Sequence, residues 1–73
     1  MAKKGSGTVY RVTEVIGTST NSWEDAARSA VATAAGTLRD LRIAEIEKLD
    51  VKIENGKITQ FRARMALSFK YEG

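Results

Sequence analysis

Cysteine and histidine are both absent from the 73 residues. Without cysteine there is no disulfide framework and no thiolate metal site. Without histidine most zinc sites disappear, and so does the commonest general base. No apolar run approaches ~18 residues, so the sequence predicts no membrane partner. Lys3 and Lys4 are followed by no hydrophobic stretch, so Met1 to Gly7 does not read as a signal peptide. These absences point to a cytoplasmic location.

What remains is ordinary globular chemistry, with 42% hydrophobic and 29% charged residues. The length allows one domain. Residues 1–8 read as a flexible leader and residues 9–72 as the domain. A chain this short buries only ~60% of the surface that its unfolded form exposes. Small scaffolds are usually reinforced by disulfides, a metal or subunit contacts. The first is excluded and the second has no motif, which favours contacts between copies over an unusually well-packed monomer.

The element order follows from local patterns. Val9 to Ile16 is rich in β-branched and aromatic residues and reads as a strand. Tyr10, Val12 and Ile16 alternate with Val9 and Val15, so both faces carry apolar groups and both need cover. Gly17 to Asn21 reads as a loop. Ser22 is placed as a helix N-cap, with Asp25 at capping-box spacing, although aspartate is shorter than the usual glutamate. Trp23, Ala26, Ala27, Ala30, Val31, Ala34, Leu38 and Leu41 form one helical stripe. The predicted helix is about nineteen residues, roughly 28 Å long. Its alanines allow close packing.

Ile43 to Ile53 reads as the second strand. Ala44 and Ile46 are out of phase with Leu49, Val51 and Ile53, which predicts a β-bulge between Ile46 and Leu49. Asn55-Gly56 predicts a two-residue type I′ hairpin. Ile58 to Tyr71 is a long third strand, with Phe61, Ala63, Met65, Leu67 and Phe69 opposite Arg62, Arg64 and Lys70. The reading is α+β: β-α-β-β, a three-stranded antiparallel sheet wrapped around one helix.

Chemistry is sparse. No histidine activates a serine. Glu45 and Glu47 share a strand face, a pattern that fits solvated carboxylates better than acid–base work. Asp40, Asp50, Glu54 and Asn55 offer oxygen to calcium but lack EF-hand spacing. The net charge is +3. A nucleic-acid surface would pair such cations with aromatics, yet Phe61 and Phe69 face away from Arg62 and Arg64, so nucleic acid is disfavoured as a partner. Trp23, at the helix start, reads as a packing residue.

Taken together, Gly17-Thr18-Ser19, Ser22-Trp23-Glu24-Asp25-Ala26-Ala27, Leu38-Arg39-Asp40-Leu41-Arg42, Ala44-Glu45-Ile46, the hairpin and Leu67-Ser68-Phe69-Lys70 resemble the dodecins. The resemblance runs from Val9 to Glu72. It implies a non-enzymatic homododecamer of 23 symmetry, built through trimers, that stores a ligand. Family members typically bind flavins, with a tryptophan stacked on the ring and a glutamine on its polar edge. Here those positions hold Ile43 and Arg62. Isoleucine has no π face, so a stacking contribution of about 1 kcal/mol or more is missing. Arginine has donors only and cannot replace an amide.

The resemblance therefore implies weakened or absent binding of FMN or riboflavin. The pocket face expected from spacing carries Ile43, Glu45, Arg62 and Arg64. The two arginines either hold a small anionic ligand or close the cavity by pairing with Glu45. Calcium stays open as an alternative ligand, because one flavin-poor branch of the family binds it, and its ligands here are unassigned.

Overall fold

The computed structural model describes residues 7–71, so most of the expected leader, together with Glu72, lies outside the described residues. The order is β1 (Tyr10–Ser19), α1 (Trp23–Ala35), β2 (Leu41–Glu54) and β3 (Lys57–Lys70). The three strands form one antiparallel sheet in the order β1-β3-β2. The third strand therefore lies in the centre, and α1 covers one face. The α+β reading is borne out.

The boundaries differ from expectation in two places. β1 continues through Gly17, Thr18 and Ser19, which pair with Ala63, Arg62 and Phe61. Gly17 belongs to the strand because α1 crosses it there. A Cβ on Gly17 would stand 2.2 Å from the Ala26 carbonyl oxygen and 2.8 Å from the Ala30 Cβ. The helix is 13 residues, not nineteen. After Ala35 the chain tightens: Thr37 and Leu38 N–H both donate to the Ala34 carbonyl, and Gly36 N–H donates to Thr33. Asp40 then takes a positive φ of 57° and reverses the chain into β2. Leu38 and Leu41 still pack on the core, but from the turn and from β2. Apolar period alone cannot separate a helix from a turn that keeps the same face inward.

The N-terminal cap forms as expected, with Ser22 extended and its Oγ accepting from Asp25 N–H at 3.0 Å. The second half of the capping box does not form. The short Asp25 carboxylate instead accepts from the Ser19 hydroxyl at 2.7 Å, and the Ser19 oxygen in turn accepts from Ser22 N–H at 3.4 Å. One hydroxyl thus splices the end of β1 to the start of α1. Trp23 is a packing residue, as expected. Its indole N–H donates to the Asp50 carbonyl at 3.0 Å, and its ring meets Phe61 edge-on at 5.3 Å.

The hairpin has the expected type I′ signature, with φ of 53° at Asn55 and 75° at Gly56. The expected bulge is present: Ile46 pairs with Met65 and Lys48 with Arg64, so Glu47 is the extra residue. Two further irregularities lie at Leu41/Ile43 and Lys52/Ile53.

The core is small. Ala26, Ala63, Met65 and Leu67 are fully buried, and Val15, Ala30, Val31, Leu38 and Leu41 pack around them. Val12, Ile16, Ile43, Ile46, Leu49, Ile53 and Ile58 remain exposed in one protomer. The hairpin also outruns β1, whose last pair is Ser19 with Phe61. Among the described residues, 52–60 therefore form an arm with no third strand beside it.

Candidate functional site

The sheet face away from α1 collects the residues singled out above. Antiparallel pairing places Ile43 opposite Ser68, Glu45 opposite Ala66, Lys48 opposite Arg64 and Asp50 opposite Arg62. On the other side of β3, Glu14 lies opposite Ala66, and Ile16 opposite Arg64. Alternation along each strand keeps these side chains on one face, while Phe61, Met65, Leu67 and Phe69 point toward the helix. Ile43, Glu45, Arg62 and Arg64 thus share a face, as spacing indicated.

They are not gathered at one point. Ile43 is level with Ser68, six residues along β3 from Arg62. At about 3.3 Å per residue that is roughly 20 Å. Glu45 and Arg64 are two positions apart in the same terms, roughly 7 Å. A flat ligand touching both Ile43 and Arg62 needs those residues from different copies of the chain.

Neither arginine pairs with Glu45, contrary to one of the two expectations for this face. Arg62 grips Asp50 with two hydrogen bonds: Nε donates to Oδ1 at 2.7 Å and an Nη to Oδ2 at 3.0 Å. This fork-to-carboxylate geometry holds the Asp50 carboxyl below its ordinary range, and the Arg62 guanidinium above its own. Asp50 is held a second time, because its carbonyl receives the Trp23 indole N–H. Arg64 reaches the opposite way, to Glu14 on β1 at 3.8 Å. Glu45 and Glu14 flank Ala66 from opposite sides, each two positions along β3 from Arg64, and Arg64 turns to Glu14.

Sequence reasoning missed Asp50 as the Arg62 partner. Counting back from the hairpin turn sets Asp50 opposite Phe61. The irregularity at Lys52/Ile53, where Thr59 is the extra residue of β3, shifts it opposite Arg62. The apolar phase change from Ile58 to Phe61 was the available signal. Glu47 was seen only as half of a carboxylate pair with Glu45. At the bulge, partial loss of water contact and then the neighbouring charges of Glu14 and Glu45 raise its pKa, against the opposing pull of Arg64. Among the described residues, no group of three or more acidic side chains is arranged to hold a metal ion. No helix there is long and apolar enough to cross a membrane.

This architecture defines a small β-α-β-β protein with one covered and one uncovered sheet face. The chain matches the Dodecin family model over residues 9–72, and it belongs to the dodecin family. It is 43% identical over 63 residues to the calcium dodecin of Mycobacterium tuberculosis, across 85% of this chain and 87% of that protein. Its fold matches the dodecin of Streptomyces coelicolor with a TM-score of 0.86 and 38% identity, over 94% of this chain and 99% of the other. It also matches the structure of the calcium-chelating M. tuberculosis calcium dodecin, described as having a novel calcium-binding site. That match has a TM-score of 0.78 and 39% identity, over 89% and 93% of the two chains. Dodecins are small binding and storage proteins.

Proposed function

We propose that this dodecin is a non-enzymatic cytoplasmic shell, a homododecamer of 23 symmetry built through trimers, that stores a small ligand or ion and has little or no affinity for flavin. The Arg62–Asp50 fork carries the flavin part of the reading. The residue at the family's glutamine position is an arginine already committed, through both arms of its fork, to a carboxylate of its own chain. The family's tryptophan position is Ile43, which is exposed and offers no ring. Assembly is supported by the exposed aliphatic residues and the uncovered hairpin arm, since apolar area left in water forfeits about 25 cal/mol per Å².

Titration of riboflavin and FMN, followed by flavin fluorescence, tests the ligand part. Weak or absent quenching is expected; submicromolar quenching with a clear stoichiometry rejects it, and the ordinary flavin-storage reading takes its place. A native mass spectrum tests the assembly, and a lone protomer at micromolar concentration rejects it.

Calcium is the second reading, favoured by the 43% identity to a calcium dodecin. A single protomer brings no three carboxylates together among the described residues. A calcium site therefore takes acids from more than one copy. Calorimetric titration with calcium separates the readings. A nucleic-acid role finds little support, because Arg62 and Arg64 face Asp50 and Glu14. A salt-dependent mobility shift with oligonucleotides would revive it.

A further inference from the structure

The tip of the hairpin arm carries Asn55-Gly56, and both residues are exposed. The Gly56 nitrogen follows directly on Asn55, within reach of its side-chain amide carbon for closing a small ring. Gly56 has no Cβ, and nothing lies within 4 Å of the place one would occupy, so nothing crowds that approach. The turn itself is lightly held. Between it and the irregularity at Lys52/Ile53 lie the pairs Glu54 with Lys57 and Ile53 with Ile58. β1 ends level with Phe61 and adds no pairing at the tip. Asn55 also holds a positive φ of 53°, which a residue with a Cβ adopts at a cost. Exposed backbone bonds and few packed neighbours make such a segment open locally with ease.

Asn21, the other asparagine of the chain, is exposed as well, but its neighbour is guarded. The Ser22 N–H donates to the Ser19 Oγ at 3.4 Å, and the Asn21 N–H donates to the same oxygen at 2.9 Å. The Ser22 hydroxyl in turn caps α1. Freeing the Ser22 nitrogen for attack would give up this splice and disturb the cap.

We propose that Asn55 is a site of spontaneous chemical modification, converting to aspartate and isoaspartate through a cyclic imide. When the turn opens, the Gly56 nitrogen yields its proton to solvent base and attacks the Asn55 Cγ. The N–Cγ bond forms, the Cγ–Nδ2 bond breaks, and ammonia leaves. Water then adds to one of the two imide carbonyls. Addition at Cγ gives aspartate; addition at the main-chain carbonyl gives isoaspartate, whose backbone is one carbon longer. Water is the sole co-reactant. Each conversion sets a new carboxylate beside Glu54 and lowers the formal charge of +3 by one. Aspartate keeps the turn, since Asp-Gly suits it as Asn-Gly does. Isoaspartate lengthens it and loosens the arm that carries Ile53 and Ile58. The protein thus accumulates an age-dependent change at the arm tip, whichever ligand it holds.

Incubation of the full-length protein at physiological temperature tests it, followed by peptide mapping with mass spectrometry and by enzymatic methylation of isoaspartate. Asn55 is expected to convert roughly tenfold or more faster than Asn21 in the same sample. The rate should climb as the pH rises above neutrality, because the attacking nitrogen must lose its proton. It should climb again in urea, where the turn no longer closes. The proposal is overturned if Asn55 keeps its amide in the native protein while losing it in urea, if Asn21 converts equally fast, or if the converted protein contains no isoaspartate.

Discussion

Replacing Gly17 by alanine adds a single methyl at the point where α1 crosses β1. The added carbon would lie 2.2 Å from the Ala26 carbonyl oxygen, 2.8 Å from the Ala30 Cβ and 3.0 Å from the Ala26 carbonyl carbon. Two of the three obstacles are backbone, so no side-chain rotation relieves the clash. The helix must lift by about 1 Å, and a gap of that width forfeits up to half of the dispersion attraction between helix and strand. Overpacking of this kind costs about 1–3 kcal/mol, and the rigid obstacle puts Gly17→Ala near 3. Alanine also restricts the unfolded chain, which returns up to about 1 kcal/mol. The net loss is about 2 kcal/mol, equivalent to a fall in Tm of roughly 8–16 °C for a domain of this size. Urea denaturation at fixed protomer concentration measures it, since assembly makes apparent stability depend on concentration. Gly36→Ala is the control: its φ is −73° and its nearest contact is 3.3 Å, to the Thr33 carbonyl oxygen, so little change is expected. A Gly17→Ala protein within about 0.5 kcal/mol of the parent would refute the close seating of helix on strand that this structure rests on.

Ile43→Trp combined with Arg62→Gln should increase flavin affinity roughly 5- to 100-fold, from one stacking and one amide contribution of about 1 kcal/mol or more each. Because the two positions are roughly 20 Å apart in one protomer, the gain should appear in the assembled protein and vanish in any dissociated form. Acidification should act in two opposed steps. Glu47, whose pKa is raised above 4.5 in the fold, loses its destabilising charge as the pH falls toward that value, so stability should first rise. Asp50, whose pKa is depressed below 3.8, contributes stability that is present above that value and lost as the pH falls through its lowered folded pKa. Glu47→Gln should remove the first step and leave the second, as urea midpoints across pH 3 to 7 would show; an unchanged profile would contradict the bulge geometry. Ile53→Ser with Ile58→Ser, both on the uncovered arm, should shift native mass spectra toward smaller species while far-ultraviolet circular dichroism stays the same.

The elements were legible because their signals are local. Ser22 caps a helix, Asn55-Gly56 turns a hairpin, and the phase change after Ile46 marks a bulge. Each depends on backbone dihedrals or on alternation within a few residues. The shared face of Ile43, Glu45, Arg62 and Arg64 follows from the same alternation. The helix end was illegible because Leu38 and Leu41 keep their apolar faces inward from a turn and a strand.

The order β-α-β-β and the division of residues between two sheet faces are properties of the chain itself, because side-chain direction in a strand repeats every two residues whatever lies beyond. Which charges meet was decided only by the folded sheet. An unforeseen extra residue at Thr59 moves Asp50 by one position and into the fork of Arg62. Arg64 turns to Glu14 on β1 and leaves Glu45 aside, and the turn at Asp40 sets Arg39 at the same recess as Arg11, 28 positions away in the sequence. Long-range pairing depends on register summed across every irregularity, and a single slip changes each partner downstream of it.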